Sequence, residues 1–276
     1  MTRILFIGDI VGRPGRDLVR RGLAALVEHR QIDLVIANAE NAAAGFGITR
    51  EIGDQLLDWG VDVMTSGNHI WDKKEALDYI GVEARLLRPA NYPAGAPGKG
   101  TYLARTRHDV SVGVLNVMGR VFMLNIDDPF AVALREIDSL RQRTRIIFVD
   151  FHAEATSEKI AMGWHLDGKV TALVGTHTHV QTADERILPH GTAYLTDVGM
   201  TGPHDSIIGV EVAPALGRFL TALPQKFETA TGNPRLNAVI VDADEHTGRA
   251  TAIERLSYSA EELQDLAHVG SVRSSV

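Results

Sequence analysis

The stretch Gly175-Thr176-His177-Thr178-His179 follows an apolar run, Lys169–Val174, that predicts a buried strand. Two histidines at positions i and i+2 just past a strand project to the same side of an extended backbone. Neutral imidazoles are common ligands of borderline metal ions, so the pair is a candidate metal site. Such a pair is equally typical of loop histidines with ordinary hydrogen bonds. The assignment therefore depends on whether other strands end in similar residues.

Side chains of the kinds that bind metals do follow four other apolar runs. These runs and the side chains after them are Ile4–Ile7 with Asp9, Leu34–Ala37 with Glu40, Val61–Ser66 with Asn68, and Arg145–Phe151 with His152. Asp9 alone is equally typical of a turn or a helix cap. In α/β sheets, however, the loops at the carboxyl ends of strands gather at one edge, where ligands bind. Five such strand ends in one chain indicate one site built from oxygen and nitrogen ligands.

The composition narrows the classes of protein and of site. The chain has 276 residues, no cysteine and a formal net charge of -7 at pH 7. Without cysteine there is no disulfide, thiol nucleophile or cysteine-ligated zinc, and the negative charge argues against stable nucleic-acid binding. No run reaches the roughly 18 apolar residues of a membrane span, and the first residues lack a signal-peptide pattern. We therefore expect a cytoplasmic protein that does not bind membranes.

The order of apolar runs and amphipathic stretches predicts one α/β domain over residues 1–276. The predicted strands are 4–7, 34–37, 61–66, 102–104, 110–117, 145–151, 169–174, 186–188, 192–196, 236–241 and 250–253. The predicted helices are 14–29, 49–59 with Thr49 as N-cap, 73–80, 130–141, 157–165, 210–223 interrupted by Pro214, and 260–267. Residues 118–130 are predicted as an excursion over the site or an oligomer contact, with an ordinary packed loop as the alternative. Residues 269–276 are predicted to be frayed.

The candidate ligands have the charge that two metal ions with a bridging carboxylate would need. Two divalent ions carry four positive charges, whereas Asp9, Glu40 and a bridging hydroxide carry three negative ones. About one positive charge remains, which attracts a phosphodiester anion. Asn68, as a neutral ligand, preserves that positive excess, and Asn68→Asp would reduce it.

The order Asp, acidic bridge, Gly-Asn-His, His and Gly-x-His-x-His resembles the calcineurin-like metallophosphoesterase superfamily. The motifs that resemble its bacterial YmdB-like branch are Gly8–Gly12, Asn38–Asn41, Gly67–Trp71, Phe151–Glu154 and Gly175–Val180. The commoner superfamily pattern has a histidine where this chain has Val11 and a bridging aspartate where it has Glu40. The YmdB-like branch shares both departures, and the resemblance covers almost the whole chain.

The resemblance implies a four-layer α/β/β/α metallophosphoesterase sandwich and two metal ions, iron or manganese. The implied ligands are Asp9, Glu40, Asn41 and His179 for one ion, and Glu40, Asn68, His152 and His177 for the other. His69 adjoins a ligand, so we expect it to protonate the leaving group or to stabilise charge in the transition state. The alternative for His69 is a supporting hydrogen bond.

The expected function is metal-dependent hydrolysis of small phosphodiesters through a two-metal bridging hydroxide. The resemblance implies 2',3'-cyclic nucleotide monophosphates among the substrates, and we expect a homo-oligomer. Two alternatives stay open: a phosphomonoesterase acting on a small metabolite, and a slow-turnover regulator that senses a nucleotide. The intact ligand set together with His69 favours the enzyme.

Overall fold

The computed structural model describes the backbone of residues 1–273 and the side chains of residues 1–266. The strands are β1 Thr2–Ile7, β2 Leu34–Asn38, β3 Val63–Thr65, β4 Thr101–Arg105, β5 Ser111–Met118, β6 Ile146–His152, β7 Ala172–Thr176, β8 Arg186–Ile187, β9 Ala193–Leu195, β10 Gly202–Pro203, β11 Pro234–Ala243 and β12 Ala250–Ser259. The helices are α1 Gly12–Arg30, α2 Arg50–Asp58, α3 Lys74–Val82, α4 Pro129–Arg141, α5 Thr156–Leu166, α6 Val212–Thr221 and α7 Ala260–Arg273.

The strands form two mixed sheets of six strands each. In the first sheet β1, β2 and β3 run parallel, and β11 pairs antiparallel with β1, β10 and β12. In the second sheet the order is β4-β5-β6-β7-β9-β8, with four central parallel strands and an antiparallel strand at each edge. The predicted pairing of β4 with β5 and the predicted β8–β9 hairpin are confirmed.

The two sheets pack face to face, and helices cover their outer faces. Successive side chains of a strand point alternately to the other sheet and to the helices. In β1, Ile4 and Phe6 face the second sheet, whereas Leu5 and Ile7 pack against helices. Phe6 stacks on Phe148 of β6 with ring centroids 5.4 Å apart. Helices α1, α2, α3 and α7 cover the outer face of the first sheet, and α4 and α5 cover that of the second. The predicted four-layer α/β/β/α sandwich is confirmed.

Several predicted boundaries differ from the structure, and three of them are described here. Helix α6 begins at Val212, so Pro214 lies in its first turn, where a missing N–H costs nothing, and does not interrupt it. The strand before the paired histidines is Ala172–Thr176 and not 169–174. Strand β12 runs to Ser259, well past 253, because its mostly exposed edge position carries polar residues that hide it from an apolar pattern.

The segment between β5 and α4 consists of turns whose backbone is hydrogen-bonded to a side chain of α5. The Glu158 carboxylate of α5 accepts hydrogen bonds from the backbone N–H groups of Arg120 at 3.0 Å and Val121 at 3.2 Å. Phe122 is 90% exposed and has a φ of 62°. The segment predicted to be frayed overlaps α7, whose last described residue is Arg273, and residues 274–276 lie outside the described range. Within that range, no helix combines the length and apolar character needed to span a bilayer.

Candidate metal centre

The predicted ligands lie where strands of both sheets end. Asp9 follows β1, Glu40 and Asn41 follow β2, Asn68 follows β3, His152 ends β6, and His177 and His179 follow β7. Because the two sheets face each other, these ends converge at one edge of the sandwich, as expected for ligand sites of α/β sheets.

One set of ligand atoms surrounds Nε2 of His152. That nitrogen lies 3.0 Å from Oε1 of Glu40, 3.0 Å from Oδ1 of Asn68 and 3.0 Å from Nδ1 of His177. Ligand atoms around a six-coordinate ion at about 2.1 Å are themselves about 3 Å apart. The four side chains therefore fit a single cation.

The second set lies on the other side of Glu40. The Asn41 amide nitrogen is 3.1 Å from Nε2 of His179 and 3.4 Å from Oε1 of Glu40. Rotation of that amide exchanges its nitrogen for its oxygen, which is the atom that binds metals. Asp9 is fully buried, and its Oδ1 has no hydrogen-bond partner among the described residues. A buried carboxylate oxygen without a partner is costly, and a cation would satisfy it.

In two of the histidines predicted as ligands, one ring nitrogen is hydrogen-bonded to an acceptor. Nδ1 of His179 donates to the backbone oxygen of Ile208 at 2.8 Å. Nε2 of His177 lies 3.0 Å from Oε2 of Glu154, which can only accept while ionised. Each bond leaves the other nitrogen with its lone pair directed into the site, as in metal-binding histidines generally.

The third histidine is oriented through a hydroxyl. Asp150 is fully buried and accepts hydrogen bonds from Asn38 at 3.1 Å, from Thr65 at 2.5 Å and from Thr176 at 2.7 Å. Burial raises the pKa of Asp150 to about 7, whereas His152 and the threonine hydroxyls favour its ionised form. Because the Thr176 proton is directed to Asp150, its oxygen accepts from Nδ1 of His152 at 2.9 Å. Nε2 of His152 is thereby left with its lone pair available to a cation.

The pKa shifts of the clustered side chains indicate an environment that favours a bound cation. Burial opposes ionisation of Glu40, but the neighbouring His152 and the backbone N–H of His69 outweigh it and lower its pKa to about 2. Burial likewise opposes protonation of His152, yet Glu40 and Asp9 raise its pKa to about 9. Burial and the positive His152 lower the pKa of His177 to about 3. A metal ion would supply the positive charge that the carboxylates otherwise draw from a proton.

The His-Thr-His loop is not extended, contrary to the expectation from the sequence. His177 has a φ of 102° and His179 a φ of 66°, a region that residues other than glycine rarely adopt. Oδ2 of Asp197 accepts hydrogen bonds from the backbone N–H of Thr178 at 3.2 Å and from its hydroxyl at 2.8 Å. The same oxygen lies 2.6 Å from Nζ of Lys159 in a fully buried ion pair. These contacts hold the strained loop and direct the two histidines to different parts of the site.

His69 lies beside the ligands with its ring at a cleft. Its backbone N–H donates to Oε2 of Glu40 at 3.0 Å, and its Nδ1 is 2.8 Å from Oδ2 of Asp72. The ring packs edge-on against Phe46, with centroids 5.0 Å apart. The side chain is therefore oriented by an acceptor and an aromatic ring, and within the described residues its imidazole forms no hydrogen bond to any of the seven predicted ligands.

The cleft above the ligands has a volume of about 420 Å³ and suits a small molecule. Its polar floor is formed by Glu40, Asn41, His69, Glu154, His177, Thr178 and His179. Its apolar wall is formed by Val11, Phe46, Ile208, Val210 and Phe227. The Arg218 guanidinium lies 5.5 Å from the centre of the Phe227 ring, a cation–π contact at the cleft wall.

Comparison with known proteins shows the family of the chain. The profile of the YmdB-like protein family matches residues 5–256, most of the chain. The chain belongs to the YmdB-like family. It is 51% identical over 255 residues to a Bacillus subtilis (strain 168) protein named 2',3'-cyclic-nucleotide 2'-phosphodiesterase, covering 92% of this chain and 96% of that protein. The resemblance inferred from the motifs is thus confirmed.

Two solved structures share the fold of this YmdB-like chain. A hypothetical protein from Thermus thermophilus has a TM-score of 0.87 and 44% identity, covering 94% of this chain and 99% of that one. A protein from Mycoplasma pneumoniae described as a novel phosphatase has a TM-score of 0.87 and 34% identity, covering 94% of this chain and 93% of that one.

Sequence reasoning missed several supporting residues of this YmdB-like site. They are Thr176 and Asp150 behind His152, Glu154 beside His177, Asp72 beside His69, and Phe227 in the cleft wall. The sequence could have predicted Asp150, because it precedes His152 by two positions in one strand and their side chains therefore share a face. Phe227 could not have been predicted, because it lies in an irregular segment far from every motif.

Proposed function

We propose that this chain is a metal-dependent phosphodiesterase that hydrolyses small nucleotides, with 2',3'-cyclic nucleotide monophosphates as its substrate class. The observation that carries the proposal is the convergence of Glu40, His152 and His177, whose ligand atoms lie within 4.8 Å of one another. The name of the 51% identical Bacillus subtilis relative supports the choice of substrate class.

Two ions, iron or manganese, are proposed to bind at the two sets of ligands. Asp9, Glu40, Asn41 and His179 would hold one, and Glu40, Asn68, His152 and His177 the other. When bound, such ions would activate water and neutralise charge on the phosphodiester. A ligand set of nitrogen and oxygen atoms without sulfur suits these metals.

We assign protonation of the leaving group to His69 and binding of the nucleobase to the cleft wall. Hydrolysis of a 2',3'-cyclic phosphodiester expels a ribose oxygen, which needs a proton because an alkoxide is a poor leaving group. His69 is in a position to give that proton, since Asp72 holds its Nδ1 and the ring lines the cleft. Phe227 and Phe46 offer apolar surfaces for the base, and a nucleotide fits a cleft of about 420 Å³.

Hydrolysis of 2',3'-cyclic AMP by manganese-loaded protein, beside a Glu40→Gln variant, tests the proposal. We expect rapid turnover in the parent and at least about a 100-fold loss in the variant, which removes the shared carboxylate. Equal background in both proteins, with metal bound to the parent, would exclude the substrate class. Release of phosphate from a nucleoside monophosphate in the same assay would instead favour the second candidate, a phosphomonoesterase, which agrees with the description of the Mycoplasma pneumoniae protein as a phosphatase.

We also infer a homo-oligomer, on the basis of α6. Its apolar side chains Val212, Leu216, Phe219 and Leu220 lie on one face and are 46–80% exposed, and Leu223 just past the helix is exposed as well. Of the residues in this helix only Ala215 is buried. A contiguous apolar stripe of this kind marks an interaction surface, and a second copy would cover it with the same stripe. The cytoplasmic location and the lack of stable nucleic-acid binding stay predictions.

A further inference from the structure

A second pocket lies at the ends of β6 and β7 opposite to the metal ligands. Its volume is about 380 Å³, and three segments form it: the α4–β6 connection, the α5–β7 loop and the β11–β12 turn. Its positively charged residues are Arg141, Arg145, Lys169 and Arg249, with His246 beside them. No carboxylate residue is among those that line it within the described chain, although the protein as a whole has a net charge of -7.

In the part of the chain that the structure describes, none of the four cations is neutralised by a carboxylate, and three of them are held in place by backbone groups. Within the described residues, none of them has a carboxylate within ion-pair distance. Three donate instead to backbone oxygens: Arg145 to His246 at 2.6 Å, Arg141 to Lys169 at 2.6 Å, and Lys169 to His165 at 2.7 Å. Like charges gathered in this way repel one another, and a bound anion would offset that repulsion.

The pocket depends on close packing of the β11–β12 turn against the second sheet. Gly248 has a φ of +74°, and a Cβ there would lie 2.2 Å from the backbone oxygen of Arg145. Its own backbone oxygen accepts a hydrogen bond from Thr171 at 2.6 Å. Asp244 forms part of the same turn, but its carboxylate accepts from the backbone N–H of His246 and lies outside the pocket lining. Only glycine permits this approach, so the cationic groups of three segments come together there.

We propose that this pocket binds a compact diphosphate or polyphosphate anion through Arg141, Arg145, Lys169 and Arg249. The planar fork of an arginine matches two phosphate oxygens, and four cations suit an anion with more than one phosphate group. Arg145 directly precedes β6 and His152 ends it, so the pocket lies roughly 20 Å from the metal ligands. It is a binding site separate from the catalytic cleft.

Calorimetric titration of the protein with inorganic pyrophosphate tests the proposal, with a nucleoside 5'-diphosphate as a second probe. The titration is run on metal-loaded protein and on protein freed of metal, because pyrophosphate also binds metal ions. We expect one equivalent to bind in the metal-free state. Tighter binding of the nucleoside diphosphate would identify a nucleotide as the natural source of the phosphate groups, and equal binding would identify inorganic phosphate chains.

The variant Arg249→Glu is the sharpest probe, since within the described residues its side chain forms no hydrogen bond that the fold would lose. It should weaken pyrophosphate binding at least about 10-fold. Arg145→Gln is the second variant, and Arg143→Gln is the matched control, because Arg143 is exposed nearby and does not line the pocket. Turnover of 2',3'-cyclic AMP should be unchanged in all three. No binding to the metal-free parent, or equal binding by Arg249→Glu, would overturn the proposal.

Discussion

The hydroxyl oxygen of Thr176 lies 2.9 Å from Nδ1 of His152 and 2.7 Å from Oδ1 of Asp150. This one side chain therefore links a fully buried carboxylate to a proposed metal ligand. Because the hydroxyl donates to the carboxylate, it accepts from the imidazole and selects the tautomer whose Nε2 can bind a cation. Ligand orientation at this position thus depends on a residue that contacts no metal.

Thr176→Val should weaken metal binding about 10–100-fold, because the isosteric side chain removes the acceptor for Nδ1 of His152. Manganese affinity measured by calorimetry checks this without any assay of activity. Thr176→Ser should restore affinity. Thr65→Val is the matched control: it removes a donor from the same Asp150 and should cost about 1–3 kcal/mol of stability, with little effect on metal affinity. Parent-like affinity in Thr176→Val would contradict the orienting role.

His69→Asn should lower kcat for 2',3'-cyclic AMP by about 10²–10⁴-fold and leave metal content unchanged. Metal content is expected to persist because only the backbone N–H of His69 contacts Glu40. A nitrophenyl phosphodiester, whose leaving group needs no proton, should lose far less rate in the same variant. Equal losses on both substrates would assign His69 to charge stabilisation and not to leaving-group protonation.

Phe227→Ala should raise KM for 2',3'-cyclic AMP about 10-fold with little change in kcat, because base stacking on an aromatic side chain contributes about 1–3 kcal/mol. Phe227→Trp should keep the parent KM, since it preserves a flat aromatic surface beside Arg218. Steady-state kinetics on both variants separates the two parameters. A fall in kcat without a change in KM would place the base elsewhere in the cleft.

Local pattern predicted the strands and placed the candidate ligands at their ends, whereas the four-layer arrangement came from the resemblance to a known superfamily. Each candidate ligand directly follows an apolar strand, and the end of a strand is where a sheet presents ligands. The residues that orient the candidate ligands could not be predicted, because their contacts depend on tertiary structure and not on local pattern. Thr176 and Asp150 are ordinary strand residues until the facing sheet brings Asn38 and Thr65 to them. That facing arrangement is set by packing between distant segments.

The conformation of the His-Thr-His loop could not be predicted either. A histidine pair after a strand suggests extended backbone, yet both histidines have positive φ. The compensating contacts come from Lys159 on α5 and from Asp197, which lies 19 positions beyond Thr178. Strained backbone persists only where surrounding structure enforces it. The residues that enforce it here are distant in sequence, so no local pattern predicts them.

Phe219→Asp in the apolar stripe of α6 should dissociate the proposed homo-oligomer, because a carboxylate cannot be buried unpaired at a symmetric interface. Light scattering coupled to size-exclusion chromatography measures the change in mass. Thr221→Asp is the control, since residue 221 lies on the opposite side of the helix. A parent that is monomeric at micromolar concentration would refute the inference.

Lys159→Met should destabilise the protein by about 3–5 kcal/mol, a large part of a typical domain's stability, because it leaves Asp197 buried without its cation. Urea unfolding of the metal-free protein measures the effect. Asp197 would keep its hydrogen bonds from Thr178 and Gly199, so the loss should fall at the lower end of that range. The double variant Lys159→Met, Asp197→Asn should be more stable than the single one, since no unpaired charge remains. Should the double variant prove less stable, the hydrogen bonds that Asp197 accepts from Thr178 would be its main contribution to stability, and the ion pair would matter chiefly as a support for the histidine loop.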